Sequence, residues 1–221
     1  AWVNLSNRMG YWLDYENRYA TLDQNYMESE WWALKQIYEK GLLYLGNKVV
    51  PYCSRCGTPL SSHEVALGYK DVKEKTVVIK FRMKTNPKRF LLAWTTTPWT
   101  LPSNLGLAVN EEIDYAIVEK SGEEFVLAKV LVEKYFGSNA KIKQTIKGKQ
   151  LIGEKFEPLF EYFKEKAKNS FKVIGGKFVA TEEGTGIVHI APAFGEDDYT
   201  ACKEAGIDFV QPVDKDGKFT S

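Results

Sequence analysis

Near its start the chain spaces apolar residues as a helix would. Met27, Trp31, Leu34 and Tyr38 fall at i, i+4, i+7 and i+11, a single stripe. Asn25, with Glu28 three residues on, predicts a capping box at the helix start. Gly41 is a natural stop. The stripe is expected to be ordinary core. The preceding MGYWLDYENRYATL is rich in aromatics and follows no clear period.

From residue 74 onward the spacing shortens. Thr76–Met83 and Arg89–Trp94 read as strands, followed by Gly106–Val109, Tyr115–Glu119 and Glu124–Leu127. A helix over Lys129–Phe136 is expected to end at Gly137. More strands are expected at Ala140–Ile146, Phe171–Ile174, Lys177–Ala180 and Gly186–Ile190, then a helix from Glu196 to Gly206. Short strands with few helices predict an α+β, mainly β class: a barrel-like domain with peripheral helices. The charged connector Asp71–Lys75 suggests a boundary. The expected organisation is a helical segment over 1–47, a connector over 48–72 and the β-rich domain over 73–221.

Charge changes this picture little. The net charge is +1, from 30 basic and 29 acidic residues, so the chain as a whole exerts no pull on nucleic acid. Lys141, Lys143, Lys147 and Lys149 read as a solvated strand face. No stretch approaches the ~18 apolar residues of a membrane helix. AWVNLSNRMG has neither a basic leader nor an apolar signal core, so a soluble protein is expected. Three cysteines, an odd and small number, argue against a disulfide scaffold and for a reducing compartment.

Two of them, in Cys53-Ser-Arg-Cys56-Gly57, have the spacing of a metal knuckle. Such a loop aims two thiolates at one ion, and two ligands do not complete a tetrahedron. No strand–CxxC–helix context supports a redox role.

Two stretches carry the candidate chemistry. WTTTPWTLPSN, Trp94 to Asn104, sets hydroxyls at 95, 96, 97 and 100 between two tryptophans and two prolines. Proline ends a central strand. The hydroxyls either offer donors and acceptors to a polar ligand or form ST-turns and a cap. GTGIVHIAPAFGEDDY, Gly184 to Tyr199, runs from a strand bearing His189 into a helix opened by Glu196, Asp197 and Asp198. Acids are favoured at a helix start in any case, by ~0.3–1 kcal/mol, and a lone histidine is commonly a satisfied core residue. Yet one Pro/Gly loop joins His189 to Asp198, so both can face one cleft, where a carboxylate would recognise an ammonium group. An acid at an exposed helix start has no apparent structural duty. No GxSxG elbow, Walker loop, GxGxxG or HExxH is present.

Together these two stretches resemble the editing domain of the isoleucyl-tRNA synthetases. The related valine and leucine families have an arginine after the second threonine of the peptide, where this chain has Thr97. MGYWLDYENRY and VPYCSRCGTPLS resemble the flanking parts, so the likeness covers nearly the whole chain. It implies a fragment of a longer enzyme, since the HIGH and KMSKS signatures and the family's second cysteine pair are absent. Synthetic activity, with its ATP and Mg²⁺, would belong to the full-length enzyme.

The implied reaction is hydrolysis of the ester in valyl-tRNA(Ile). One methylene is worth only ~1–3 kcal/mol in an apolar pocket, a limit for which isoleucyl-tRNA synthetase is itself the standard illustration. A second pocket that excludes isoleucine by size supplies the rest. By resemblance, Asp198 binds the α-ammonium and His189 lies beside the amino-acid side chain. Thr95, Thr96, Thr97 and Thr100 surround the terminal adenosine and the ester, and Asn104 is the motif asparagine. Trp94 and Trp99 wall the pocket or stack on adenine; Ala191 and Phe194 complete the substrate contacts. Editing needs no cofactor, and zinc is implied only at the half site Cys53 and Cys56, in a ribbon-like appendage. The expected partners are the tRNA(Ile) 3′ end and the rest of the synthetase, with a monomeric, cytoplasmic fragment and no membrane. The alternative is a non-catalytic module that binds a tRNA 3′ end or a nucleotide.

Overall fold

The computed structural model describes residues 1–167 and 169–220. The chain divides into two compact units, Ala1–Asn47 and a larger one from Lys48 on.

The first unit holds α1 (Trp2–Arg8) and α2 (Gln24–Glu39). Helix α2 starts one residue before the expected cap. Asp23 is its N-cap, and the Glu28 carboxylate accepts from the Gln24 amide at 2.8 Å instead of closing a box on Asn25. Its end matches the expectation. Gly41 takes φ +69°, Gly41 N–H donates to Tyr38 O and Leu42 N–H to Ile37 O, a Schellman pair. The stripe is not core here. Trp31 and Tyr38 are 68% and 67% exposed, and neither helix buries a residue. Two helices with this little chain between them cannot cover so broad an apolar face.

In the second unit, β1 (Tyr52–Cys53) and β2 (Thr58–Pro59) flank the CxxC loop, and α3 (Ser62–Ala66) follows. A full capping box joins Ser61 and Glu64 at the start of α3. Next come β3 (Val77–Arg82), β4 (Arg89–Thr95), a 3₁₀ turn (Pro98–Ser103), β5 (Gly106–Val109), β6 (Asp114–Lys120) and β7 (Glu123–Ala128). A 3₁₀ turn leads into α4 (Val132–Phe136), followed by β8 (Lys141–Lys147), β9 (Lys172–Gly175), β10 (Val188–Ile190) and α5 (Glu196–Glu204). The expected strand at Lys177–Ala180 is absent from the described elements. Gly175 and Gly176 break the run, and Val179 N–H closes a turn on Gly176 O.

Strand β4 organises the unit. One edge pairs with β3 along residues 77–82, and the other is shared, with residues 89–91 against β7 and Trp94 against β10. From β10 the order continues to β5 and β9. Single bridges, Lys155 to Lys172 and Met83 to Phe156, then carry it back to the free edge of β3. The neighbours therefore form a closed ring, as the barrel-like expectation requires, and β7, β6 and β8 make a wing. Phe81, Phe156 and Phe171 pack edge to face inside, with centroids 5.3 and 6.2 Å apart.

Wing and ring meet at a glycine. Ala128 N–H donates to Thr185 O, and the buried Tyr115 hydroxyl donates to Gly186 O at 2.6 Å while accepting Asn110 N–H. Burial pushes that phenol up to about 12, so it stays a donor. A Cβ on Gly186 would stand 2.4 Å from the Cβ of Ala128. The lysines of β8 face solvent, as expected, and each also pairs with an acid. Lys141 pairs with Glu119 at 3.0 Å, Lys147 with Asp114 at 2.9 Å, and Lys143 with the buried Glu124. Glu124 also accepts from Arg89 Nε at 2.8 Å, and its donors hold the carboxyl below its ordinary range.

Candidate active site

Strands β4 and β10 are parallel neighbours, so their C-terminal ends emerge on the same side. That topology brings the threonine peptide and the 184–199 segment together across a large sequence gap. After Thr95 the chain cannot extend the sheet, because Pro98 fixes φ and opens the 3₁₀ turn. Thr97 N–H donates to Thr95 Oγ1 at 3.0 Å, and Thr100 Oγ1 donates to Thr97 O at 2.8 Å.

The two readings of the hydroxyls therefore divide by residue. Thr95 and Thr100 are buried and engaged by the turn. Thr96 is exposed, and its hydroxyl has no hydrogen bond among the described residues. The Thr97 hydroxyl meets Thr95 Oγ1 at 3.2 Å; if Thr95 is the donor there, the Thr97 proton is left for a ligand.

Residues 184–198 form the facing wall. Gly184, at φ +73°, lies against the Trp94 ring, where a Cβ would come within 3.1 Å. His189 alternates with Val188 and Ile190 on β10 and points away from them. It is buried, with Nε2 2.9 Å from Thr100 Oγ1 and Nδ1 2.8 Å from Asn104 Nδ2. Asp198, in the first turn of α5, reaches back so that Oδ2 accepts Ala191 N–H at 2.8 Å. Gly195 makes room, since a Cβ there would touch the Asp198 carboxyl carbon at 3.0 Å. Asp198 is thus half-buried and holds the loop, contrary to an acid with no structural duty.

These residues enclose a cavity of about 470 Å³. Trp94, Thr95, Thr96, Thr97, Trp99, Thr100, His189, Ala191, Phe194 and Asp198 all line it. Trp99 and Phe194 meet edge to face at 4.8 Å, with Trp99 half exposed. Asn104 is not on the wall; it stands behind His189. Sequence reasoning passed over Phe178, Ala180, Glu182, Glu183 and the Gly184–Ile187 turn, which also line the cavity. The glycine spacing marked that turn only as a route into the strand.

Among the described residues the lining contains no lysine or arginine, and three carboxylates, Asp198, Glu182 and Glu183. Burial raises Asp198 to about 6, against the Ala191 hydrogen bond, with a further push from Asp197. Burial lowers His189 to about 4. At neutral pH the cavity therefore presents an ionised, partly desolvated carboxylate and a neutral imidazole. Asp198 has no cationic partner among the described residues. An ammonium ligand would relieve that burial.

The cysteine knuckle stands apart. Cys56 N–H points at Cys53 Sγ at 3.4 Å, and Gly57 takes φ +69°. That bond, with one from the Cys56 thiol, lowers the Cys53 thiol; the thiol–thiol bond and the Cys53 charge raise the Cys56 thiol. No group of three or more potential metal ligands occurs among the described residues, so the donor set falls two short of a tetrahedral zinc site.

The class of protein follows from the sequence match: the chain is a member of the class I tRNA synthetases. Residues 1–176 match the family model for the isoleucine, leucine, methionine and valine enzymes, and the chain belongs to that family. Within it, the chain is similar to isoleucine–tRNA ligase of Clostridium tetani, with 50% identity over 99% of its length, and equally to that of Picrophilus torridus. It spans 21% of the length of each of these relatives. Among solved structures, the P. knowlesi cytosolic leucyl-tRNA synthetase editing domain is similar at 16% identity. Its TM-score is 0.48, over 59% of this chain and 61% of that one.

Proposed function

We propose that the chain is the editing part of an isoleucyl-tRNA synthetase and hydrolyses the ester of valyl-tRNA(Ile). One observation carries the reading: the Asp198 carboxylate, which accepts Ala191 N–H but has no cationic partner among the described residues, shares one cavity with the hydroxyl-rich turn. The carboxylate receives the α-ammonium. The Thr96 and Thr97 hydroxyls hold the terminal ribose and the attacking water. Water adds to the ester carbonyl, the tetrahedral intermediate collapses, and the ribose oxygen leaves with a proton as valine is released. His189, with Ala191 at the wall, limits the aliphatic side chain; one excess methyl in a filled pocket costs ~1–3 kcal/mol. The chain would act as part of a longer cytoplasmic enzyme, with tRNA as partner. No helix among the described residues is long and apolar enough to cross a membrane.

A second reading, a module that holds a tRNA 3′ end without turnover, is favoured by one feature: the cavity pairs no nucleophile with a basic histidine. Incubation with both aminoacyl-tRNAs separates the two. Editing gives release of valine from valyl-tRNA(Ile) at least ~10-fold faster than release of isoleucine, the lower end of what one methylene supplies. Binding of valyl-tRNA(Ile) with no release of valine would leave only the module.

A further inference from the structure

The hydrogen bonds of His189 end, in both directions, at backbone carbonyls, and a carbonyl can only accept. On one side Asn104 Nδ2 lies 2.8 Å from Gly106 O. That contact requires the amide nitrogen, not the amide oxygen, to face the carbonyl. The second hydrogen of the same nitrogen then points at His189 Nδ1, 2.8 Å away. Two donors cannot face each other there, so Nδ1 must offer its lone pair. On the other side the Thr100 hydroxyl proton is committed to Thr97 O at 2.8 Å. Thr100 Oγ1 can therefore only accept from the ring, and Nε2, 2.9 Å away, must carry the hydrogen. The two ends dictate the same tautomer independently.

From this geometry we infer that Asn104 is a positioning residue: its amide holds His189 as the neutral Nε2–H tautomer, so the ring serves as a fixed wall and donor and not as a base. This deepens the editing assignment and rests on it only for the identity of the substrate. Asn104 is 5% exposed, and its Oδ1 is buried with no partner among the described residues. The site thus uses the amide for its nitrogen, leaving the oxygen idle. Asp198, Glu182 and Glu183, around the same cavity, would favour a cationic ring. Burial and the facing amide oppose them. Thr100, held between ring and carbonyl, keeps no proton for a ligand, which leaves the donor role to Thr96 and Thr97.

The chain has two histidines, and the other, His63, is exposed. His63→Gln therefore gives a single-histidine protein whose ring can be read by ¹⁵N NMR. The expected spectrum has Nε2 protonated and Nδ1 bare at neutral pH, with no titration near the ordinary histidine value. A proton on Nδ1, or an imidazolium at neutral pH, would overturn the inference. In the same background, Asn104→Asp sets a carboxylate against Nδ1, and the ring should gain a proton there and titrate ~1–3 pH units higher. Ser103→Ala removes a hydroxyl from the same turn, the one donated to Thr100 O, without touching the ring. It should leave tautomer and titration unchanged. If both variants move the ring alike, Asn104 is merely structural and the inference falls. If Asn104→Asp does not fold, the tautomer of the Asn104 protein decides alone. A valyl-tRNA(Ile) hydrolysis assay judges the proposed function separately, since its failure beside the expected spectrum counts against editing and not against the positioning role.

Discussion

Asp198→Asn is expected to slow hydrolysis of valyl-tRNA(Ile) by roughly 30- to 1000-fold while the protein stays folded. The estimate rests on losing a charge-assisted contact to an ammonium in a partly desolvated site, worth ~2–4 kcal/mol, at ~1.4 kcal/mol per tenfold. Asparagine keeps an oxygen that can accept Ala191 N–H, the bond Asp198 makes at 2.8 Å. Alanine does not, so Asp198→Ala should lose activity and also ~1–2 kcal/mol of stability for the orphaned donor. Steady-state deacylation and thermal melts of both variants check this, and an active Asp198→Asn would remove the carboxylate from the mechanism.

The pH dependence follows with opposite signs for activity and stability. Asp198 titrates near 6 in the folded chain, above its ordinary 3.8. In the proposed mechanism hydrolysis needs the ionised form, so kcat/KM, which reports the free protein, should climb as pH rises through about 6. Ionising a half-buried acid with no cationic partner among the described residues costs folding free energy, so the empty protein should lose stability over the interval from about 4 to about 6.

Gly186→Ala is expected to destabilise the second unit by ~3–5 kcal/mol. Two costs add at this position. The backbone has φ +75°, which an L side chain adopts with strain, and the new Cβ would stand 2.4 Å from Ala128 Cβ. Its carbonyl also accepts from Tyr115, so the shift would loosen wing and ring together. Gly122 provides the control. It has φ +80° but open space around its missing Cβ, so Gly122→Ala should cost only ~1–2 kcal/mol. Denaturant unfolding of both variants measures the difference, and equal losses would show that strain, not the close approach, dominates.

The sequence revealed the β framework well because alternation and turn residues are local signals. Gly106–Val109 falls where it was expected, and the Glu196 helix starts where its acids indicate. Closure of the ring was not legible. It depends on single bridges at Lys155 and Phe156, which leave no alternating run. The cap of α2 was misplaced because Asn25 and Glu28 satisfy the capping pattern, yet Glu28 finds Gln24 one turn back. At the site, residue types identified the threonine peptide, His189 and Asp198, and parallel pairing of β4 with β10 explains why they share one cavity. What the residue types could not tell is which hydroxyls are already engaged, or that Asn104 lies behind the ring and not beside a ligand. Those depend on hydrogen-bond direction, which no spacing encodes.

The proposed contact between Asp198 and the α-ammonium can be followed at the carboxylate itself. The ¹³C carboxyl signal of Asp198 would be titrated in the free protein and with a non-hydrolysable valyl-adenosine amide. The free protein should titrate near pH 6, and bound ammonium should bring the midpoint to 4 or below, a fall of ~2 pH units. A midpoint unmoved by saturating ligand would contradict the account, because the amine would then be held somewhere other than at Asp198.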